Sequence, residues 1–154
     1  MKPLSLTLKN FGPYINETID FTKFEDSSLF LISGKTGSGK TTIFDGMSYA
    51  LFGESSGKLR LGKEMRSTFA DPSEATEVTL LFKHNEYLYE LNRLPEQELF
   101  KKRGTGVRKQ SAKISLIVKD AQGKELRAYS KRREVDELIQ ELLHLNANQF
   151  AQIV

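Results

Sequence analysis

The strongest chemical pattern in the sequence is a short run of glycines with a lysine and hydroxyl side chains. The stretch "GKTGSGKT", residues 34–41, satisfies the spacing G-x-x-x-x-G-K-[ST]. Glycines let the backbone curl so that successive N–H groups point at one site, and a helix beginning there adds positive potential. In such a loop Lys40 reaches the β- and γ-phosphates of a nucleotide and the Thr41 hydroxyl ligates Mg²⁺. The predicted triphosphate-binding residues are Gly34, Lys35, Thr36, Gly37, Ser38, Gly39, Lys40, Thr41 and Thr42.

The segments on either side of this loop predict the strand and the helix that such a site needs. The run "SLFLIS", residues 28–33, is apolar almost throughout, which is typical of a strand buried on both faces. From Lys40 to Phe52 the apolar residues recur at helical spacing, and Gly53 suits a helix C-terminus. This context favours a strand–loop–helix unit that binds nucleotide over a glycine-rich turn without a ligand.

The N-terminus and the middle of the chain predict antiparallel strands. "LSLTLKNF" and "ETIDF" form a strand pair around the turn signal Gly12-Pro13. Four later segments have strand length and predict a meander, namely "TEVTLLFKH", "EYLYELNRL", "KISLIVKD" and "ELRAY". The basic, glycine-containing stretch between the second and third of them is expected to be a loop.

One more helix is predicted near the C-terminus. In "REVDELIQELLHL" the apolar residues share one helical stripe, and Ser130 is a possible N-cap. The stripe consists of Val135, Leu138, Ile139, Leu142 and Leu143. The predicted fold class is therefore α/β, a P-loop NTPase with an added antiparallel β-sheet.

Composition narrows the class of protein. A chain of 154 residues with 38% hydrophobic and 28% charged residues is typical of one soluble globular domain. The absence of cysteine excludes disulfides, thiolate zinc sites and a cysteine nucleophile, and it fits a reducing cytoplasm. No apolar run is long enough to span a membrane or to serve as a signal peptide. His84 and His144 lie far apart without cysteine, so we expect both to be structural.

A second acidic element, which hydrolysis normally requires, is hard to find. Asp120 follows the apolar run "SLIV", but Lys119 interrupts that run, so Asp120 makes a poor Walker B residue. "DAQG" also matches the D-x-x-G of small GTPases, which keeps a compact GTPase open as an alternative, although no N-K-x-D stretch exists to bind guanine. A hairpin turn at Asp120 is the favoured interpretation. We therefore expect no catalytic residue within this chain.

Two stretches concentrate positive charge. "KKRGTGVRKQSAK" carries six cations without an acid: Lys101, Lys102, Arg103, Arg108, Lys109 and Lys113. "RAYSKRR" adds Arg127, Lys131, Arg132 and Arg133. Clustered cations bind the DNA backbone by releasing counterions, without reading sequence. The alternatives are non-specific contact with double-stranded DNA and a solvated hairpin tip, and a non-enzymatic DNA-binding module that retains the loop also stays open.

The chain as a whole resembles the N-terminal ATPase segment of SbcC, the SMC-like subunit of the bacterial SbcCD nuclease complex, in its Gram-positive branch. The matching stretches run in order: "LTLKNFGPYINETIDF", "LFLISGKTGSGKTTIFDGMSYALFGE", "RSTFADP", "KKRGTGVRKQ" and "ELLHLNANQFAQIV". The resemblance implies that residues 1–154 are the N-terminal lobe of an ABC-type ATPase head. It also implies that a coiled coil and a C-terminal lobe with signature motif and Walker B belong to the remainder of a longer protein.

The resemblance further implies a cofactor, partners and a cellular role. In that family, two heads dimerise around ATP and Mg²⁺ and control the access of DNA to a separate Mn²⁺-dependent nuclease subunit, SbcD. The resemblance therefore implies a cytoplasmic, nucleoid-associated role in DNA repair and recombination, with hydrolysis belonging to the full-length protein. The family's Q-loop glutamine is expected beyond Val154, so neither Gln149 nor Gln152 is that residue. Where relatives carry Arg-Ser near the nucleotide, this chain has Gly12-Pro13, and Tyr14 either stacks on adenine or packs internally.

Overall fold

A computed structural model of the chain describes residues 1–24, 32–54 and 62–153. The strands are β1 Lys2–Phe11, β2 Tyr14–Asp20, β3 Glu77–His84, β4 Tyr87–Leu94, β5 Gln97–Phe100, β6 Val107–Gln110, β7 Lys113–Lys119 and β8 Glu125–Tyr129. The α-helices are α1 Lys40–Phe52, α2 Arg132–Leu143 and α3 Ala147–Ile153, and short 3-10 helices cover Thr22–Phe24 and Gly62–Met65. The predicted strand at 28–33 lies mostly outside the described residues.

Six of the strands form one antiparallel sheet in the order β2-β1-β3-β4-β7-β8. The predicted N-terminal strand pair and the predicted meander are both confirmed. They are parts of a single sheet, because β1 pairs with β3 on the side away from β2. The sequence pattern could not show this pairing, since more than sixty residues separate the two strands.

The core lies on the face of the sheet that α1 covers. Alternate residues of β1 and β3 are fully buried on this face, including Leu6, Leu8, Val78 and Leu80. Helix α1 comes very close to β1 at Gly46, where a Cβ atom would lie 2.6 Å from the Leu8 Cδ2 atom. A larger residue at 46 would push the helix, and with it the glycine-rich loop at its start, away from the sheet.

The expected basic loop between β4 and β7 contains a two-stranded hairpin of its own, β5–β6. This hairpin is held by Gln97 and Leu99, both buried. The Gln97 Oε1 atom accepts a hydrogen bond from the Thr76 N–H at 2.8 Å, and the Gln97 Nε2 atom donates to the Thr76 carbonyl at 3.2 Å. The prediction of a loop was wrong over these strands because their charged outward residues hide the short apolar alternation.

The C-terminal helices follow the predicted stripe but not the predicted cap. Val135 and Ile139 of α2 are buried, as expected. The N-cap is Lys131 in an extended conformation without a side-chain bond, so Ser130 is one residue too early to cap the helix. Helix α3 begins with a reciprocal cap, in which the Gln149 N–H donates to the Asn146 Oδ1 atom at 3.0 Å and the Asn146 N–H donates to Gln149 Oε1 at 2.9 Å. Gln149 therefore has a structural role at the start of α3.

Candidate nucleotide-binding site

The loop before α1 has the backbone conformation that its glycines permit. Gly37 and Gly39 have φ angles of +83° and +91°, which L side chains rarely adopt. The Ser38 N–H donates to the Lys35 carbonyl at 3.1 Å, and the Ile43 N–H donates to the Gly39 carbonyl at 3.2 Å as the helix begins. Residues 33–38 are exposed, so the curled backbone is open to a ligand from solvent.

Lys40 carries a positive charge back across this loop. Its Nζ atom donates a hydrogen bond to the Gly34 carbonyl at the other end of the loop. The N–H groups of the first turn of α1 have no intrahelical partners, and the helix dipole makes this end positive. A cation, free N–H donors and a positive helix end at one exposed place form a site for a polyanion such as a triphosphate.

The turn between β1 and β2 packs directly on the start of α1. Gly12 adopts a φ of +57°, and a Cβ atom there would lie 2.5 Å from the Thr42 Cγ2 atom. A Cβ atom at Gly39 would collide with the Tyr14 hydroxyl and lie 2.9 Å from its Cζ atom. The Tyr14 hydroxyl donates to the Gly39 carbonyl at 3.3 Å, and its half-buried ring packs against the core. Both glycines thus allow a close approach of this turn to the loop.

An arginine covers the C-terminal end of α1. Neither its residue type nor its place in the sequence predicted this role. Arg93 on β4 is 4% exposed. Its Nε atom donates to the Ala50 carbonyl at 2.6 Å and its Nη2 atom to the Leu51 carbonyl at 3.1 Å. Nη2 also donates to the Asp136 Oδ1 atom on α2 at 2.8 Å. Burial lowers the pKa of Arg93, and the bond to Asp136 opposes this shift. The guanidinium therefore fastens the last carbonyls of α1 to α2.

Asp120, the acidic candidate, lies in the turn between β7 and β8. Its Oδ1 atom accepts hydrogen bonds from the N–H groups of Gln122 and Lys124, both at 2.9 Å. The Gly123 N–H closes the turn on the Asp120 carbonyl at 3.0 Å. The prediction of a hairpin turn is confirmed, because the carboxylate stabilises its own backbone.

The two histidines lie at element ends. His84 is the last residue of β3, and His144 caps α2 with a φ of +55°. Within residues 1–24, 32–54 and 62–153, no group of three His, Cys, Asp or Glu side chains is placed to hold a metal ion.

The first basic cluster lies on the β5–β6 hairpin and at the start of β7. All six cations, Lys101, Lys102, Arg103, Arg108, Lys109 and Lys113, are exposed. Two of them form ion pairs, Lys102 with Glu74 at 2.8 Å and Lys109 with Glu96 at 2.9 Å. The bond from Lys102 lowers the pKa of Glu74. The hairpin thus brings the cations together, while the two ion pairs neutralise part of their positive charge.

The second basic cluster is divided between two elements. Arg127 lies on β8 and Lys131 precedes α2, and both are exposed. In the first turn of α2, Arg132 pairs with Asp136 at 3.4 Å and Arg133 pairs with Glu137 at 2.9 Å. These pairs at helical spacing stabilise α2 itself.

Of the helices in the described part of the chain, none combines the length and the hydropathy that crossing a membrane would require.

Comparison with known proteins gives consistent matches along the whole chain. A family model described as "AAA domain" matches residues 5–154. The SbcC subunit of the SbcCD nuclease from Lactococcus lactis is 47% identical over 158 aligned residues, with 100% of this chain and 15% of that protein covered. The SbcC subunit from Vibrio cholerae is 43% identical, with 100% of this chain and 15% of that protein covered. The one from Staphylococcus aureus is 45% identical, with 99% of this chain and 15% of that protein covered.

These matches show the family of the chain and the share of its relatives that it covers. It spans about 15% of the length of the curated relatives that it matches, and these include Gram-positive species. A solved structure from work on the ATP-driven dimerization of SMC ATPases has a TM-score of 0.46 at 18% identity, covering 99% of this chain and 91% of that one, which is too distant to bear on function. The family model and the curated relatives confirm the resemblance drawn from the sequence: the chain belongs to the AAA domain family and is a relative of the SbcC subunit of the SbcCD nuclease.

Proposed function

We propose that this chain binds ATP together with Mg²⁺ and forms the ATP-binding N-terminal lobe of an SbcC-like, ABC-type ATPase head. The observation that carries the proposal is the loop at residues 34–42. It combines two glycines at positive φ, an exposed helix N-terminus and the Lys40 ammonium at one place. Membership of the AAA domain family supports the same assignment.

Each part of the loop has a role in this proposal. Backbone N–H groups of the loop would donate to the phosphates, and Lys40 would exchange its bond to the Gly34 carbonyl for the β- and γ-phosphates. Thr41 is exposed in the first turn of α1, where its hydroxyl is available to Mg²⁺. Thr42 lies against Gly12, so its side chain also links the loop to the β1–β2 turn. When bound there, Mg²⁺ would offset part of the negative charge of the triphosphate.

We further propose that this chain alone hydrolyses ATP negligibly. Among the described residues, the acidic candidate Asp120 stabilises the β7–β8 turn through its Oδ1 atom, as expected of a hairpin turn and not of a Walker B residue. Hydrolysis, dimerisation with a second head and control of an SbcD-like nuclease subunit would then need the C-terminal lobe of a longer protein. The name of the relatives, which are subunits of a nuclease, supports this division of labour.

Calorimetric titration of the 154-residue chain with Mg-ATP tests the proposal. We expect saturable binding that Lys40→Ala abolishes, with an unchanged melting temperature because Lys40 lies at the surface. Lys124→Ala, which removes an exposed lysine from the β7–β8 turn, is the matched control. No binding by the wild-type chain, or steady hydrolysis by it, would contradict the proposal. Tighter binding of GTP than of ATP in competition would instead favour the GTPase alternative.

A second proposed role is sequence-independent contact with double-stranded DNA through the β5–β6 hairpin. Lys101 and Arg103 lie in its exposed tip, and the Arg108 guanidinium is oriented by the Gln110 Oε1 atom at 3.1 Å. If these cations bind phosphates, Arg103→Ala should weaken duplex binding equally for unrelated sequences and reduce its salt dependence. Lys83→Ala, at an exposed residue of β3, is the control. Affinity that is independent of salt would rule the role out.

A further inference from the structure

The contact between the β1–β2 turn and the N-cap of α1 has a consequence for the candidate site. Tyr14 is the first residue of β2 and pairs with Phe11, which is fully buried. The Gly12 N–H donates to the Met65 carbonyl at 2.7 Å, so the turn is fixed on its other side as well. The Tyr14 hydroxyl therefore projects from a rigid support onto the Gly39 carbonyl.

The Tyr14 contact affects the loop through the geometry of one peptide group. The Gly39 carbonyl and the Lys40 N–H belong to one planar trans peptide, in which the C=O and N–H bonds point in opposite directions. The Gly39 carbonyl accepts from the Tyr14 hydroxyl in addition to the Ile43 N–H, and both donors hold the Lys40 N–H on the opposite side of the peptide. That N–H is one of the first-turn donors of α1 that lack an intrahelical partner.

We propose that Tyr14 is a positioning residue for the phosphate loop: its hydroxyl holds the Gly39–Lys40 peptide so that the Lys40 N–H faces the bound phosphate. The inference rests on the proposed nucleotide binding and adds a residue outside the loop to that site. The proposed contact of the Tyr14 hydroxyl is with the backbone of the loop and not with the adenine ring of the nucleotide.

Two features of the surroundings fit this role. A tyrosine with the ordinary pKa of 10.0 is protonated at neutral pH, and burial and the nearby Glu17 carboxylate raise the pKa of Tyr14 further, so its hydroxyl is a donor. Gly39 has no Cβ atom, and any side chain there would collide with the Tyr14 hydroxyl. The glycine of the loop and the tyrosine of the turn therefore form one matched pair.

The test compares two ligands, Mg-ATP and Mg-tripolyphosphate, on the wild-type chain and on Tyr14→Phe. Phenylalanine keeps the ring and its packing and removes only the hydroxyl. We expect both ligands to bind about three- to tenfold more weakly, as for the loss of one hydrogen bond, with the melting temperature almost unchanged. Tyr87→Phe, at a tyrosine that is 45% exposed, is the matched control and should bind both ligands like the wild type.

A spectroscopic readout separates positioning from general stabilisation. In nitrogen–proton correlation spectra, Mg-ATP should shift the Lys40 amide signal of the wild type strongly downfield, and this shift should shrink in Tyr14→Phe. Unchanged affinities and an unchanged Lys40 shift in Tyr14→Phe would overturn the inference. A loss confined to ATP would overturn it in favour of a base contact. A wild-type chain that binds neither ligand would overturn the proposed function itself.

Discussion

At its N-terminal end helix α1 has exposed backbone and glycines at positive φ, whereas at its C-terminal end the carbonyls are buried beneath Arg93. Both ends of a helix carry backbone groups without intrahelical partners. The protein satisfies these groups at the C-terminus with a guanidinium and leaves those at the N-terminus to an anion. The difference indicates that one end is an anchor and the other a binding site.

The ends also differ in what holds them. The C-terminal end is tied to β4 and α2 by the three bonds of Arg93. The N-terminal end is contacted by the β1–β2 turn, through the packing of Gly12 on Thr42 and through the neutral hydroxyl of Tyr14, 3.3 Å from the Gly39 carbonyl. Hydrogen bonds from a buried charged group are stronger than a hydrogen bond from a partly buried neutral hydroxyl. Substitutions at the anchor should therefore cost stability, and substitutions at the site should mainly cost ligand affinity.

The largest effect on stability is expected from Arg93→Ala. It leaves the Ala50 and Leu51 carbonyls without their side-chain donor and removes the bond to Asp136 Oδ1, although this carboxylate keeps its pairing with Arg132. The expected cost is about 3 kcal/mol in the free energy of unfolding. Urea denaturation measures this change. Asp136→Asn keeps the bonds to the carbonyls and should lose only about 1 kcal/mol. Equal losses in both variants would show that the ion pair, and not the contact with the helix end, is the anchor.

Gly39→Ala should disrupt the candidate binding site at the N-terminal end of α1. A side chain at a φ of +91° is strained, and this one also displaces the Tyr14 hydroxyl. We expect Mg-ATP affinity to fall by more than about tenfold, while stability falls by about 1 kcal/mol. Gly104→Ala, at a similar φ in the open tip of the β5–β6 hairpin, is the control for strain alone. Titration and thermal melting of both variants separate the two effects.

The pH dependence of stability should report on the C-terminal end. Burial raises the pKa of Tyr49 to about 12, from an ordinary value of 10.0, although Arg93 and Arg132 lower it. Because the unfolded chain releases this proton first, the stabilisation is complete below pH 10.0 and is lost as the pH rises to about 12. Tyr49→Phe should remove about 2 kcal/mol of the alkaline decline. If stability falls by the same amount at alkaline pH in Tyr49→Phe, groups other than Tyr49 cause the decline.

The smallest effect is expected at α3, which packs on the C-terminal end of α1 through the Phe52 and Phe150 rings, 5.6 Å apart. Gln149→Ala removes one half of the reciprocal cap of α3 and should cost about 1 kcal/mol or less. Thermal melting measures it. Gln152→Ala, on the exposed side of the same helix, should leave the melting temperature unchanged.

Local patterns predicted much of this fold. The span of α1, its Gly53 cap and the Asp120 turn each depend on residues close in sequence, and the structure has them as expected. The pairing of β1 with β3 and the anchoring by Arg93 depend on residues more than forty positions apart. Arg93 is a charged residue on the same face of β4 as the buried Tyr89 and Leu91, and this position was the available signal. Two of its partners are backbone carbonyls, which no residue type reveals, and the third, Asp136, is 43 positions away.

The candidate site divides in the same way. The glycine and lysine spacing predicts the loop, because its chemistry is local. The contact of Tyr14 with Gly39 joins residues 25 positions apart and required the structure. The β5–β6 hairpin was predicted only as a loop because charged outward residues hide its apolar alternation. Its attachment to the sheet through Gln97 and Thr76 joins residues 21 positions apart.

Amide hydrogen exchange along α1, with and without Mg-ATP, tests most directly whether this helix has one binding end and one anchored end. We expect Mg-ATP to slow exchange at residues 36–43 and to leave the already slow exchange of residues 48–53 unchanged, with no response in Lys40→Ala. Slower exchange at both ends alike, or at the C-terminal end alone, would contradict the division between site and anchor.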